Sequence, residues 1–65
     1  MDELPIAEAR ANLSDVASKV RYTREPVCLT RRGTPQVTLV PTDIGDLIEA
    51  AGGTDKAAEI LRRAT

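Results

Sequence analysis

Residues 26–41 read Pro26-Val27-Cys28-Leu29-Thr30-Arg31-Arg32-Gly33-Thr34-Pro35-Gln36-Val37-Thr38-Leu39-Val40-Pro41, and this stretch constrains the fold more than any other. Two runs rich in β-branched and aliphatic residues flank a polar segment holding glycine and proline, which is the pattern of a β-hairpin. Proline at each end lacks a ladder N–H and confines the strands to about this length. The expected product is a hairpin with Arg31 and Arg32 at its tip. By the alternation of a strand, Val27 and Leu29 share one face and Cys28 and Thr30 the other, while Val37 and Leu39 oppose Thr38 and Val40. Both faces are mostly apolar or neutral, and a lone hairpin is marginal in water. One face should therefore pack on a helix of the same chain and the other meet a second subunit.

A chain of 65 residues is one domain at most. A domain this small buries only about 60% of its unfolded surface and usually draws on disulfides, a metal or oligomerisation. A single cysteine excludes an intrachain disulfide, and the absence of histidine removes the usual zinc ligand sets. Neither a metal nor another cofactor is expected. Oligomerisation is left, and with Tyr22 as the single aromatic residue, a homodimer that completes the core is the expected solution. No apolar run approaches the roughly 18 residues of a membrane span. Met1-Asp2-Glu3 is the reverse of a positively charged signal-peptide start, so the expectation is a cytoplasmic protein without a membrane partner. Cys28, in mid-strand, reads as a small core hydrophobe rather than a nucleophile.

Upstream of the hairpin, Glu3-Leu4-Pro5-Ile6 predicts a short first strand with Leu4 and Ile6 on one face, restricted by Pro5 to a sheet edge. Over residues 7–22 the period becomes helical, with Ala9, Leu13, Val16, Ala17 and Val20 on one stripe that covers the hairpin. Asp15 and Lys19 form an i, i+4 pair in the favourable order. Asn12 is a poor interior residue but a strong N-cap, and it is expected to divide this segment into a short first turn and a longer second helix. Arg10 then sits near a bend and projects away from the core. After Pro41, Thr42 or Asp43 is expected to cap a helix with the stripe Ile44, Leu47, Ile48 and Ala51. Gly52-Gly53 ends it as a hinge, and Thr54 caps a last helix with the stripe Ala57, Ile60, Leu61 and Ala64. At about three turns, that helix is unstable alone and waits for a partner.

The chemistry of the side chains argues against an enzyme. Without histidine no Ser-His or Cys-His nucleophile pair forms, and Gly52-Gly53-Thr54-Asp55-Lys56 lacks both the spacing and the setting of a phosphate-binding loop. The scattered acids read as solvated carboxylates, so no small-molecule substrate is expected. The net charge of −1 is divided unevenly, with +1 over residues 1–40 and −2 over residues 41–65. That asymmetry alone does not establish nucleic-acid binding. What remains is the basic set Arg10, Arg31 and Arg32, whose planar forks suit phosphates and the edge of guanine but which composition alone assigns to solvated surface.

Ile6-Ala7-Glu8-Ala9-Arg10-Ala11-Asn12-Leu13-Ser14, followed after about a dozen residues by residues 26–35 and an aliphatic strand ending in Val40-Pro41, resembles the Phd/YefM antitoxins of bacterial type II toxin–antitoxin systems over residues 3–51. The resemblance implies an α+β fold: an N-terminal helical segment packed on a hairpin-centred sheet, followed by short C-terminal helices. It also implies a homodimer that represses its own operon by binding a palindromic operator. The C-terminal tail of such a protein is disordered or loosely helical until it wraps a cognate toxin, commonly a ribonuclease or a Doc-type Fic protein. Carried over by position, Arg10 matches the principal DNA-contacting arginine and Arg31 a second basic contact, with Arg32 beside it. Asn12 and Ser14 match the motif as possible structural caps, and Asn12 is counted with the DNA-binding set. Residues 1–51 are thus expected to form the dimerisation and DNA-binding domain. Residues 52–65 are expected to form a hinge and toxin-binding helix, with Leu47, Ile48, Ala57, Ile60 and Leu61 as the toxin-binding side chains. Two features depart from the family's pattern: Ala7 stands where Ser or Thr is frequent, and the tail beyond Gly53 is short. The alternatives are a toxin-independent transcriptional regulator and a protein-interaction module without DNA binding.

Overall fold

The computed structural model describes residues 1–64; Thr65, the last residue of the expected toxin-binding segment, lies outside the described residues. The element order is β1 (Asp2–Pro5), α1 (Ile6–Ala11), α2 (Leu13–Thr23), β2 (Val27–Arg31), β3 (Thr34–Leu39), α3 (Thr42–Ala50) and α4 (Thr54–Ala64). This is the α+β arrangement expected from the sequence. The sheet runs β1-β2-β3, with β1 parallel to β2 and β2 antiparallel to β3. Parallel neighbours need a long crossover, and α1 with α2 supplies it. As the central strand, β2 is covered best: Val27, Cys28 and Thr30 are buried, whereas β3 is exposed along nearly its whole length.

The hairpin register follows the alternation read from the sequence, with Val27 opposite Leu39, Cys28 opposite Thr38 and Leu29 opposite Val37. Beyond Leu29 the register slips, so that Thr30 faces Pro35 and Gln36 is left over as a bulge. A proline without an N–H is tolerated in a strand at such an irregularity. Pro5 is likewise confined to an edge, since β1 pairs on one side only. Ile6, expected in the first strand, instead opens α1. Pro5 at φ −60° and ψ 140° serves as the N-cap residue, so the chain turns from strand to helix without a connector.

The helical segment divides at Asn12 as expected, but the cap works in the opposite sense. The Asn12 backbone N–H donates to the carbonyls of Glu8 and Ala9, and its Nδ2 donates to the Glu8 carbonyl at 3.2 Å. The side chain closes α1 and makes no capping bond to α2. Lys19 does not pair with Asp15; its Nζ reaches Asp2 Oδ2 of the edge strand at 3.5 Å, a tertiary partner brought alongside by the crossover. At the C-terminus of α2, Arg24 takes the left-handed conformation at φ 59° and donates its N–H to the Val20 carbonyl.

From there Arg24 Nη2 donates to Asp43 Oδ2 at 2.6 Å, tying the end of α2 to the first turn of α3. Thr42 and Asp43, expected as caps, lie inside α3; Pro41 holds the N-cap position, where its fixed φ enters a helix directly. Thr54, also expected as a cap, is the first residue of α4, and Gly53 supplies the carbonyl that accepts from the Ala57 N–H at 2.9 Å.

The core is thin and made of small residues: Ala9, Val20, Val27, Cys28, Pro41 and Ala57 are the buried apolar residues among those described, and none of the large side chains is fully buried. Leu13 and Val37 each keep 55% of their surface exposed.

The Arg24 hydrogen bond holds the Asp43 carboxyl below its ordinary range. A depressed carboxylate stabilises the fold above the unfolded value of about pH 4, and that contribution is lost as pH falls through the folded value. Asp43→Asn should therefore lower the melting temperature slightly at pH 6, and the difference from the parent chain should vanish by about pH 2. Thermal unfolding followed by circular dichroism across this range checks it, and a difference that persists in acid would contradict it.

Candidate nucleic-acid interface

Parallel pairing sets the C-terminal ends of β1 and β2 side by side, with Pro5 opposite Thr30. From that shared end β1 runs into α1, while β2 runs into the hairpin tip. Arg10, in the last turn of α1, is thereby brought to the arginines of the tip. Arg10, Arg31 and Arg32 line one hollow of about 410 Å³ together with Pro5, Ile6, Ala7 and Thr30. No acid lines it. Among the described residues none of the three arginine side chains has an ion-pair or hydrogen-bond partner, whereas Lys19 and Arg24 are each paired with an aspartate. Unopposed like charges at one edge raise the local positive potential well above what a net charge of −1 suggests.

The tip itself is a two-residue turn, because Arg31 pairs directly with Thr34. Arg32 and Gly33 both have positive φ, at 53° and 79°, which defines a type I′ turn whose twist matches that of the flanking strands. Glycine adopts this conformation freely; arginine does so at a cost on the order of 1 kcal/mol. The turn type favours Asn, Asp or Gly at that position, so Arg32 is held there against local preference.

Asn12 stands apart from this cluster. It lines a different hollow, beside Asp2, Glu8 and Lys19, with its amide donating to the Glu8 carbonyl. At the other end of the chain, Leu47, Ile48, Ala57, Ile60 and Leu61 come together with Ile44 and Ala51 around an apolar hollow of about 260 Å³ between α3 and α4. Ile44 and Ala51 were legible as part of the α3 stripe. Thr30 and Pro5, which floor the arginine hollow, carried no signal of their own, since their place depends on strand pairing.

The family model for antitoxin Phd/YefM of type II toxin–antitoxin systems matches residues 1–44, which hold the whole sheet, the arginine hollow and the start of α3. The chain belongs to the Phd/YefM antitoxin family. Membership implies toxin neutralisation within a toxin–antitoxin system, and hence a cognate toxin as partner; the family is not known as enzymatic. No curated protein and no solved structure matched the chain. Among the described residues, no helix is long and apolar enough to cross a membrane. Within the family motif, Ala7 occupies the wall of the arginine hollow, where a serine or threonine hydroxyl would add a donor.

Replacing the strained tip residue by one that tolerates positive φ gives a direct check on the turn. Arg32→Asn creates Asn-Gly, the preferred type I′ pair, and should stabilise the fold by up to about 1 kcal/mol. Urea unfolding measures this, and a loss of stability would contradict the turn assignment.

Proposed function

We propose that the chain is an antitoxin that neutralises a cognate toxin through its C-terminal segment and, as a homodimer, binds palindromic operator DNA to repress its own operon. The observation that carries the DNA-binding part is the convergence of three unpartnered arginines on one hollow at the hairpin tip. Guanidinium forks donate two parallel hydrogen bonds and serve both phosphate positioning and the reading of guanine in the major groove. Arg10 and Arg31 make the principal contacts in this reading, with Arg32 beside them. Asn12 contributes by setting the bend that ends α1 and presents Arg10.

Two copies of the hollow, related by a two-fold axis, address two half-sites and turn a weakly charged monomer into an extended basic surface. The second copy covers the open apolar area at the junction of α2 and β3, where Leu13, Ala17, Val20, Leu39 and Val40 line a hollow of about 590 Å³. Residues 1–51 form the dimerisation and DNA-binding domain. Residues 52–65 form the hinge and toxin-binding helix, with Leu47 and Ile48 of α3 completing the surface offered by Ala57, Ile60 and Leu61. The toxin is of the ribonuclease or Doc type, and the setting is the cytoplasm.

Arg10→Ala should weaken operator binding at least about tenfold with the circular dichroism spectrum unchanged, because a single bidentate contact contributes roughly 1–3 kcal/mol. A gel-shift titration of the parent chain at several salt concentrations should show log affinity falling with log salt, with a shallower slope for the variant. Unchanged affinity and slope would remove Arg10 from the site. Independently, Leu61→Asp should abolish rescue of cells expressing the cognate toxin, while operator binding by the free dimer stays as in the parent. Full rescue would exclude Leu61 as an anchor.

A further inference from the structure

Thr30, the one buried polar residue among the described residues, lies at the floor of the arginine hollow. It keeps 7% of its surface exposed, and its hydroxyl has no hydrogen-bond partner among the described residues. Its neighbours across the sheet are Pro5 on β1 and Pro35 on β3, and neither carries an N–H that could donate to it. Among the described residues no side-chain nitrogen or oxygen is both buried and unpaired, so Thr30 Oγ1 lies in the small part of the residue that stays open. That opening is the hollow shared with Arg10, Arg31 and Arg32. A valine would fill the same space in the central strand without desolvating a hydroxyl. The hydroxyl is thus an unused hydrogen-bonding group at a site whose other polar side chains are three unpaired cations.

We propose that the hollow is a built site for one phosphate group, which enters it to accept hydrogen bonds from Thr30 Oγ1 and from the guanidinium groups around it. Three features select phosphate over the edge of a base. Each polar side chain of the hollow can donate, and no acid is present to accept from a base amino group. Three like charges gathered without a counter-charge call for an anion, which the edge of guanine is not. The last feature is shape. Base edges lie at the bottom of a groove about 8.5 Å deep and are reached by side chains that project, whereas a backbone phosphate itself projects and reaches a recessed hydroxyl. Thr30 thereby positions the ligand and carries no sequence preference. The phosphate site rests on the hollow alone; that the phosphate belongs to an operator backbone, rather than to a free phosphate monoester, rests on the DNA-binding reading.

Two probes separate these sources. In a buffer of constant ionic strength, inorganic phosphate added to the full-length chain should give saturable nuclear magnetic resonance shifts at the amides of Thr30 and Arg31, and chloride should not. Thr30→Val, which keeps the shape, should weaken that binding at least about tenfold, while Thr30→Ser should retain it. In gel-shift titrations, Thr30→Val should weaken a duplex from upstream of the gene and a scrambled duplex of the same composition by one common factor of about ten. Thr30→Ser should bind both as the parent does, an outcome that a packing role for the Thr30 methyl does not produce. A loss confined to the upstream duplex would overturn phosphate as the group received. Phosphate shifts in a chain whose duplex affinities are unmoved by Thr30→Val would exclude the nucleic-acid backbone as the source and leave a site for a free monoester. Neither shifts nor a loss on either duplex would sink the site itself. A parent chain that shows the shifts but binds no duplex would remove the operator reading and leave the phosphate site standing.

Discussion

Four residues of parallel pairing, Asp2 with Val27 through Pro5 with Thr30, set the position of nearly everything else. Because the two strands point the same way, the helix that follows the first and the tip that ends the second emerge from one edge of the sheet. An antiparallel β1 would send α1 to the opposite edge and separate Arg10 from Arg31 by the length of the strand. The pairing also dictates the crossover, so that α2 lies over the sheet and Lys19 meets Asp2 instead of the aspartate one turn away. Local helix preferences lose to this tertiary arrangement because exposed i, i+4 pairs contribute only a few tenths of a kcal/mol.

The side chains available to fill the space between α2 and the sheet are small. Ala9, Ala57, Val20 and Val27 are buried, but they leave the margins of the core open, and Leu13, Val37, Ile60 and Leu61 remain half exposed or more. Each of these residues borders one of the two apolar hollows or the exposed strand beside them. With one cysteine and Tyr22 as its single aromatic residue, the chain has few means of its own to strengthen so small a core.

Much of this was legible in the sequence because it rests on short-range rules. The hairpin, the alternation of its faces, the break at Asn12 and the stripe Leu47, Ile48, Ile60 and Leu61 follow from alternation, helical period and turn residues. The discrepancies fall where a long-range contact or a backbone cap decides. Asn12 closes the helix before it, Ile6 turns into α1, and the caps at Pro41 and Gly53 are supplied by the backbone rather than by Thr42, Asp43 or Thr54. The Arg24–Asp43 bond left no trace in the sequence, since it joins residues far apart and depends on a left-handed arginine. The grouping of Arg10 with the hairpin tip was implied by the family resemblance; its geometric basis lies in the strand pairing.

The irregularity at Pro35 and Gln36 has a bearing on how this molecule associates. Both edges of the sheet carry a proline, Pro5 on β1 and Pro35 on β3, and the second is compounded by a bulge. A proline removes a donor from the row of free backbone groups, and a bulge twists that row out of line, so neither edge is a good template for a further strand. A chain that exposes this much apolar surface is thereby discouraged from growing into an extended sheet. Its contacts with other chains are directed to side-chain faces, which distinguish one partner from another in a way that backbone pairing does not.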